Sequence, residues 1–384
     1  MIELEQVTKV YPGASVPAVD GVTLTVPDGE LCVFIGSSGC GKTTLMRMIN
    51  RLIPITSGRI RVGGQDVLEM DAIELRRRIG YVIQQIGLFP HMTVHENIAT
   101  VPRLLGWDKR RIAERVDELL DLVNLDPGVF RPRYPRELSG GQAQRVGVAR
   151  AMAANPPVML MDEPFGAIDP INREVLQDEF LKIQAKLKKT IIFVTHDIDE
   201  AIKMGDKIAL LDKGRLVQFG QPEELLTRPR NEFVKSFVGA DRVLKRLNLL
   251  TARDAMMENP VHCLDTDPAG KVLEGMLAQD LNFLLVTDRE HRLRGYVNAS
   301  DLRGHPGTVA DVVRPLTLTV RPDRNLKEAL SQMLGYDLGI LVVVDDDGQM
   351  LGVLTTRTLL GLVGETYDER GGHWGKIVAH GRIL

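Results

Sequence analysis

A glycine-rich run that directly follows an apolar segment constrains the fold of this chain more than any other feature. Leu31 to Ile35 is typical of a buried strand, and residues 36–43 read Gly-Ser-Ser-Gly-Cys-Gly-Lys-Thr. Glycines allow backbone N–H groups to turn inward around phosphate oxygens, and the N-terminus of a following helix adds positive potential. The run therefore predicts a strand, a phosphate-binding loop and a helix, with Lys42 on the β- and γ-phosphates and Thr43 on Mg²⁺. The alternative is a glycine-rich loop without a ligand.

Two further apolar segments also end in polar residues. Val158 to Met161 precedes Asp162 and Glu163, and Ile191 to Thr195 precedes His196. Because short β-rich runs alternate with helical patterns, we expect an α/β fold whose ligands gather at the carboxyl ends of parallel strands. Two carboxylates at an apolar strand end are unfavourable unless a cation or water contacts them. We expect Asp162 to hold Mg²⁺ and Glu163 to polarise the attacking water, although a solvated strand end fits this pair alone equally well.

The size and composition of the chain limit its class. With about 150 residues per domain, a chain of 384 residues is expected to form two or three domains. The formal net charge of -3 argues against a nucleic-acid partner. Three cysteines without a CxxC pair fit a reducing cytosol. No run reaches the roughly 18 apolar residues that cross a bilayer, and the N-terminus does not resemble a signal peptide. We therefore expect a soluble chain that acts at a membrane only through another chain.

An internal repeat lies beyond Gly239. Three pairs of similar segments recur in the same order, each 57 residues apart, and they contain Asp254 and Asp311, Asp288 and Asp345, and Gly295 and Gly352. Repeated self-similarity in a fixed order indicates a duplicated module. Each copy is predicted to form a strand, an amphipathic helix, an apolar strand, a turn, a strand and a short helix.

The pentapeptide Leu138-Ser-Gly-Gly-Gln142 lies between the phosphate loop and the acid pair. With this pentapeptide intact and the motifs in this order, residues 1–240 resemble the ATPase domain of the ABC transporter family. The resemblance implies a P-loop NTPase fold, with a mostly parallel sheet and a helical subdomain, that binds ATP and Mg²⁺. It also implies a head-to-tail dimer in which Ser139 of one copy approaches the γ-phosphate held by the other. A plain Ser-Gly-Gly turn is the alternative.

Other motifs are assigned by the same resemblance. Tyr11 matches the aromatic residue that stacks on adenine, although a place in the core is the alternative. Gln84 matches the glutamine that meets Mg²⁺ and senses the γ-phosphate, and residues 88–94 resemble the surface that receives the coupling helix of a membrane subunit. Asp169 matches the aspartate at the dimer contact, and His196 matches the histidine that switches on the γ-phosphate. A histidine with only a packing or surface role is the alternative for the last.

The expected site residues form four groups. The catalytic group is Glu163, His196 and Gln84. The ATP-binding group is Tyr11, Gly36, Ser37, Ser38, Gly39, Cys40, Gly41, Lys42, Thr43 and Thr44. The group that acts on the partner's nucleotide is Ser139, Gly140, Gly141, Gln142 and Asp169. The Mg²⁺ ligands are Thr43, Gln84 and Asp162.

The duplicated module resembles a tandem pair of CBS domains. The pattern Gly-x-x-[Asn/Thr]-x-x-[Asp/Thr] occurs at 295–301 and again at 352–358. Such pairs bind adenosine-containing ligands, and the last acidic residue of the pattern holds the ribose; the first copy keeps it as Asp301 and the second has threonine. Thr356 and Arg357 are further candidates, because an arginine buried without an anion is unfavourable and a phosphate suits it. A dimerisation element without a ligand is the alternative.

An ABC ATPase followed by a CBS pair is the arrangement of the osmoprotectant importers for glycine betaine, carnitine or choline. The resemblance implies an ATPase at the cytoplasmic face of the cell membrane. It would work with permease subunits and indirectly with a substrate-binding protein. The expected domains are an ATPase at 1–240, a linker at 241–250, CBS repeats at 251–306 and 307–365, and a tail at 366–384.

The regulatory signal and the cargo are less constrained. Cyclic di-AMP, an adenine nucleotide or ionic strength is the expected signal, and Arg242, Lys245 and Arg246 of the linker favour the last unless they form a solvated helix face. The alternatives for function are an importer of an amino acid or another small solute, an exporter, and a non-transport ABC ATPase acting on DNA or ribosomes. The last of these is expected to have a basic surface or a long coiled-coil insertion.

Overall fold

The computed structural model describes residues 1–83, 87–166 and 168–365. The chain divides into two compact units, Met1–Ala240 and Asp241–Leu384. Gln84 and the expected tail at 366–384 lie outside the described residues. Within the described ranges, none of the helices has the length and apolar content that a bilayer span requires.

The first unit contains two sheets. Its strands are β1 (Ile2–Lys9), β2 (Val19–Val26), β3 (Leu31–Gly36), β4 (Ser57–Val62), β5 (Gln65–Asp66), β6 (Ile79–Val82), β7 (Val158–Asp162), β8 (Thr190–Val194), β9 (Lys207–Asp212) and β10 (Arg215–Gly220). In the described residues, the larger sheet has the order β10-β9-β3-β8-β7-β6 and the smaller has the order β2-β1-β4-β5. From β9 to β6 the neighbours pair in parallel, so the expected α/β fold is confirmed.

Helices cover the larger sheet. Those of the first unit are α1 (Lys42–Ile49), α2 (Ala72–Arg77), α3 (Val94–Ile98), α4 (Thr100–Leu104), α5 (Lys109–Leu122), α6 (Pro127–Phe130), α7 (Gly140–Met152), α8 (Pro170–Leu187), α9 (Ile198–Met204), α10 (Pro222–Thr227) and α11 (Glu232–Val238), and a 3-10 turn spans Pro135–Glu137. Every residue of β3, β7 and β8 is buried, as expected for parallel strands covered on both faces. One apolar cluster joins the two sheets to α1 and includes Leu4, Phe34 and Leu45.

The second unit contains the duplication. Its strands are β11 (Met257–Glu258), β12 (His262–Leu264), β13 (Phe283–Thr287), β14 (Leu293–Asn298), β15 (Thr319–Val320), β16 (Ile340–Val344) and β17 (Met350–Thr355). Its helices are α12 (Arg242–Leu249), α13 (Ala252–Ala255), α14 (Ala269–Ala278), α15 (Ala299–Leu302), α16 (Leu326–Gly335) and α17 (Thr356–Glu365), with a 3-10 turn at Val309–Asp311. Sheets of order β12-β13-β14 and β11-β17-β16-β15 result. Strand, helix, two strands and a helix follow one another twice, so the predicted repeat is confirmed.

The stretch predicted as a linker folds with the second unit. Leu247 of α12 is 1% exposed and packs in the apolar cluster of the second repeat. Lys245 Nζ pairs with Asp241 at 3.0 Å, and Arg246 Nη1 donates to the carbonyl of Leu362 at 3.2 Å. Two of the three basic side chains expected to sense ionic strength are therefore held by contacts of this unit.

Candidate active site

The phosphate loop joins β3 to α1, as its sequence predicts. Gly36 has φ 149° and Gly41 has φ 103°. A Cβ on Gly36 would lie 2.1 Å from the carbonyl oxygen of Leu211, and one on Gly41 would lie 2.4 Å from that of Ala18. Neither position can hold a side chain without moving backbone. The loop is therefore fixed between β9 and the start of β2.

The charged end of Lys42 lies inside this loop. Its Nζ donates to the carbonyl oxygens of Gly36 at 2.8 Å and Ser37 at 3.0 Å. The residue is only 7% exposed, so its charge acts in a setting of low dielectric constant, where its attraction for phosphate is stronger than in water. Cys40, whose side chain is also buried, lies 3.8 Å from the same Nζ.

The two expected metal ligands from described residues meet at the sheet edge. Thr43 Oγ1 donates to Asp162 Oδ1 at 3.0 Å. Burial raises the pKa of Asp162, and the hydroxyl of Thr43 partly offsets this by favouring the carboxylate. Hydroxyl and carboxylate oxygens are hard donors that suit Mg²⁺, an ion that usually completes its shell with phosphate oxygens and water. These residues therefore fit the expected ion.

The expected base and switch residue are in direct contact. His196 Nδ1 lies 3.2 Å from Glu163 Oε1, although the two residues are 33 positions apart. Glu163 has φ 45°, and its N–H donates to the carbonyl of Val194 at 2.9 Å. This tie to β8 fixes the turn after β7, so the carboxylate and the imidazole face the same space. Such a pair can orient a water molecule and accept its proton.

Tyr11 is a surface residue beside the loop. It is 39% exposed, which excludes the alternative of a core residue. Its hydroxyl lies 3.5 Å from Thr44 Oγ1, and Lys9 Nζ lies 5.2 Å from the centre of its ring. An exposed ring next to the phosphate loop is accessible for stacking on a base.

The signature pentapeptide begins helix α7. Ser139 caps this helix, because its Oγ accepts from the N–H of Gln142 at 3.3 Å while Gln142 Oε1 accepts from the N–H of Ser139 at 3.0 Å. Asp169 caps α8 in the same way and accepts from the N–H of Asn172 at 3.1 Å. Residues 139–142 and Asp169 line one cavity of about 630 Å³, which does not include the phosphate loop. The two parts of the expected site thus lie apart within one copy.

In the second unit, Asp301 is already paired. Arg314 donates to both oxygens of its carboxylate, at 2.8 Å from Nε and 2.6 Å from Nη2, and this pairing lowers the pKa of Asp301. Thr356 Oγ1 donates to the carbonyl of Gly339 at 3.4 Å. Arg357 is exposed. The argument that Arg357 would be buried and would therefore need an anion is wrong.

A cavity of about 350 Å³ lies between the repeats. Its lining includes Phe283 and Tyr296 of the first repeat and Leu318 and Gly339 of the second. The lining contains none of Asp301, Thr356 and Arg357. The cavity therefore lies next to the residues that are expected to bind a ligand, but these residues do not line it.

Comparison with known proteins agrees with this geometry. The family described as "ABC transporter" matches residues 19–166, and the family described as "CBS domain" matches 252–306 and 309–365. The osmoprotectant import ATP-binding protein OsmV of Salmonella typhimurium is 50% identical over 359 residues, which are 92% of this chain and 94% of that protein. The chain belongs to the ATP-binding subunits of ABC transporters.

Further relatives of this ABC subunit cover it to a similar extent. The glycine betaine/carnitine/choline transport ATP-binding protein OpuCA of Bacillus subtilis is 47% identical over 367 residues, 94% of this chain and 96% of that protein. Among solved structures, the dimeric bacterial ABC transporter cassette MJ0796 is 34% identical with a TM-score of 0.52, and it covers 58% of this chain and 99% of its own. The same cassette has been solved as a dimer in a post-hydrolysis state bound to ADP and Pi. The ABC subunit is thus an ATP-binding protein of a class whose cassettes dimerise.

Two polar residues of this ABC subunit that the sequence did not single out hold the loop at 87–93. Asn97 is fully buried; its Nδ2 donates to the carbonyls of Phe89, Met92 and Thr93 at 3.0–3.1 Å, and its Oδ1 accepts from the N–H of Phe89 at 2.8 Å. Arg150 Nη1 in the last turn of α7 donates to the carbonyl of Gly87 at 2.6 Å. The segment 88–94, which is expected to meet a membrane subunit, is therefore held by Asn97 and is tied through its neighbour Gly87 to the helix that begins with the signature pentapeptide.

Proposed function

We propose that this ABC subunit hydrolyses ATP to drive the import of quaternary ammonium osmoprotectants, namely glycine betaine, carnitine or choline. The contact of Glu163 with His196, next to the Thr43–Asp162 pair, supports the hydrolytic activity. The cargo is supported by OsmV and OpuCA, which resemble this chain over more than nine-tenths of its length, CBS repeats included. The cargo itself is expected to contact other chains of the transporter.

In this proposal, ATP lies with its phosphates on the N–H groups of residues 36–44 and its adenine on Tyr11. Lys42 exchanges its bonds to the carbonyls of Gly36 and Ser37 for bonds to phosphate oxygens. Thr43 and Asp162, with Gln84, hold Mg²⁺, which neutralises phosphate charge when it is bound. The exchange by Lys42 needs no large movement, because the loop backbone is already fixed by its packed glycines.

Glu163 is the proposed base. A water molecule between the Glu163 carboxylate and the γ-phosphate donates a proton to this carboxylate. His196 holds the carboxylate through the 3.2 Å contact, and the imidazole of His196 faces the phosphate. Because Glu163 is fixed to β8 through its own N–H, the base does not have to be ordered during the reaction.

The working unit is proposed to be a head-to-tail pair of copies. The signature residues 139–142 and Asp169 line a cavity apart from the phosphate loop, so one copy presents two half-sites on different surfaces. The N-terminus of α7 carries positive potential and suits a γ-phosphate of the other copy. The subunit is proposed to sit at the cytoplasmic face of the membrane, with residues 88–94 on a permease that receives cargo from a substrate-binding protein.

A mixing experiment tests both the activity and the pairing. Lys42→Ala and Ser139→Arg each remove hydrolysis, but a mixed pair of these two copies keeps one intact site. We expect the mixture to recover roughly a quarter of the native rate, because half of the pairs are mixed and each has one working site. Mixing Lys42→Ala with Glu163→Gln is the matched control, since both changes fall in the same half-site and no intact site forms. Equal recovery in both mixtures, or none in either, contradicts the proposed pairing.

We propose that the CBS pair regulates transport by binding an adenine nucleotide such as AMP or cyclic di-AMP in the cavity between its repeats. The support is the cavity of about 350 Å³ with Phe283 and Tyr296 in its wall, because aromatic rings stack on bases. Calorimetric titration of the full chain carrying Lys42→Ala, which removes the other nucleotide site, tests this with AMP, ATP and cyclic di-AMP. Tyr296→Ala is expected to abolish the heat. Absence of heat with every ligand contradicts the proposal.

A further inference from the structure

Helix α9 carries a buried carboxylate that the proposed reaction does not use. Glu200 is only 7% exposed. Burial of an ionised carboxylate is unfavourable unless hydrogen bonds compensate it. Burial accordingly raises the pKa of Glu200, and the side chains of Thr195 and Gln177 offset this only in part. The contacts of Glu200 must therefore compensate for the burial of its carboxylate.

Two buried polar side chains, Gln177 and Thr195, lie beside this carboxylate. Gln177 Nε2 of α8 donates to Glu200 Oε1 at 3.0 Å, and Gln177 is itself 6% exposed. Thr195, which is 2% exposed, lies close enough for its hydroxyl to lower the pKa of the same carboxylate. Thr195 Oγ1 also accepts from the N–H of Asp197 at 3.1 Å, so this one hydroxyl organises the turn that contains His196.

The other end of the network reaches the segment expected at the dimer contact. Helix α8 begins at the cap Asp169. One turn into it, Arg173 Nη2 donates to the carbonyl of Ile168 at 2.9 Å. Gln177 stands one further turn along the same face of α8, since residues four apart are neighbours on a helix. Hydrogen bonds and helix α8 therefore connect residues 168–169 to Glu200.

We propose that Glu200 is a positioning residue that fixes the turn at His196 to helix α8, so that the dimer-contact segment and the hydrolytic pair are held in one arrangement. This proposal rests on the proposed ATPase function. Hydrogen bonds to an ionised group are about twice as strong as neutral ones, and buried polar groups that bond one another favour a single geometry. His196 is then held at a fixed distance from Glu163. If contact with a second copy moves Asp169, helix α8 and Glu200 transmit that movement to His196 and so to the base Glu163.

The test compares ATP hydrolysis by the full chain with Glu200→Gln, Glu200→Ala and Glu174→Gln. The glutamine keeps the size of the side chain but loses its charge. Glu174→Gln is the matched control, because it makes the same change at an exposed position of α8. We expect Glu200→Gln to lower kcat about tenfold and Glu200→Ala about a hundredfold, with KM for ATP within about twofold of native, because a displaced base impairs the reaction and not nucleotide binding.

A second variant keeps the test decisive if Glu200→Ala folds poorly. Gln177→Met removes one bond to the carboxylate without emptying the site. Combined with Glu200→Gln, it is expected to lower kcat by less than the product of the two single effects, since both act through one network. Native kcat in Glu200→Gln, or kcat and KM that change together with the melting temperature, overturns the proposal. A native chain that hydrolyses no ATP instead refutes the proposed function, and the two failures are thus distinguishable.

Discussion

Substitution of Gly41 by alanine is the sharpest probe of how the phosphate loop is held. Gly41 has φ 103°, which is unfavourable for a residue with a Cβ by about 1–3 kcal/mol. The added Cβ would also lie 2.4 Å from the carbonyl oxygen of Ala18 and 3.2 Å from Val19 Cγ2. Ala18 cannot easily move away, because its N–H donates to the carbonyl of Lys9 at 2.8 Å.

The free-energy cost of this clash adds to the cost of the unfavourable φ. Overpacking of a fixed site costs about 1–3 kcal/mol, so we expect Gly41→Ala to lower the free energy of unfolding by about 2–6 kcal/mol in all. Gly39→Ala is the matched control, since Gly39 has φ 77° but nothing within 4 Å of an added Cβ. There only the unfavourable φ applies, and we expect a loss of about 1–3 kcal/mol.

Differential scanning calorimetry of the full chain measures the difference. The transition that belongs to the first unit is the one that ATP shifts to higher temperature in the native chain but not in Lys42→Ala, because a ligand stabilises only the state it binds. Gly41→Ala is expected to lower the midpoint of this transition about twice as far as Gly39→Ala does, and to leave the transition of the second unit unchanged. Equal shifts in the two variants refute the reasoning, because they would mean that the contact with Ala18 is not restrictive.

Three further changes have defined outcomes. Asn97→Ala removes four hydrogen bonds to the backbone of residues 89–93 and is expected to lower the free energy of unfolding in urea by about 4 kcal/mol, at about 1 kcal/mol per bond. Lys42→Gln keeps most of the side-chain length but removes the charge, and calorimetry is expected to show at least about a tenfold loss of ATP affinity. Arg314→Ala is expected to raise the pKa of Asp301, which Arg314 now lowers, as measured by carboxyl chemical shifts during a pH titration by NMR.

The last change also affects how stability depends on pH. A carboxylate with a lowered pKa stabilises the folded state above its unfolded pKa, and this contribution is lost as pH falls through the folded pKa. As the pH falls, the free energy of unfolding of the second unit is therefore expected to decrease more steeply in the native chain than in Arg314→Ala. An unchanged Asp301 titration in Arg314→Ala, native ATP affinity in Lys42→Gln, or a native urea midpoint in Asn97→Ala would contradict the corresponding contact.

The sequence predicts the parts of this site that local pattern determines. Lys42 and Thr43 follow from a run of glycines after a strand, and Glu163 and His196 follow from strands that end in polar residues. Parallel pairing then brings these ends to one edge of the sheet, which is why residues 33 positions apart meet at 3.2 Å. The duplication of the second unit is equally visible, because its two copies keep a constant spacing.

Contacts between distant segments were not predictable in this way. Asn97, Arg150 and Glu200 belong to none of the motifs described above, and only the fold shows that Arg150 reaches Gly87, 63 residues away. The expectation for Arg357 failed because periodicity places it on a helix but does not tell which side of that helix faces solvent. Residues 241–250 are predicted to link two domains, yet Leu247 packs against apolar residues that come together only when the second unit folds.

Uptake in proteoliposomes tests the central claim most directly. The full chain is reconstituted with the membrane subunits that co-purify with it and with their binding protein, and entry of radiolabelled glycine betaine, carnitine and choline is followed with ATP supplied on the side of this subunit. The account predicts uptake of at least one of these compounds that requires ATP and is lost in Glu163→Gln, while Glu174→Gln retains it. Uptake that continues in Glu163→Gln, or ATP-driven uptake of an amino acid but of none of the three compounds, would contradict it.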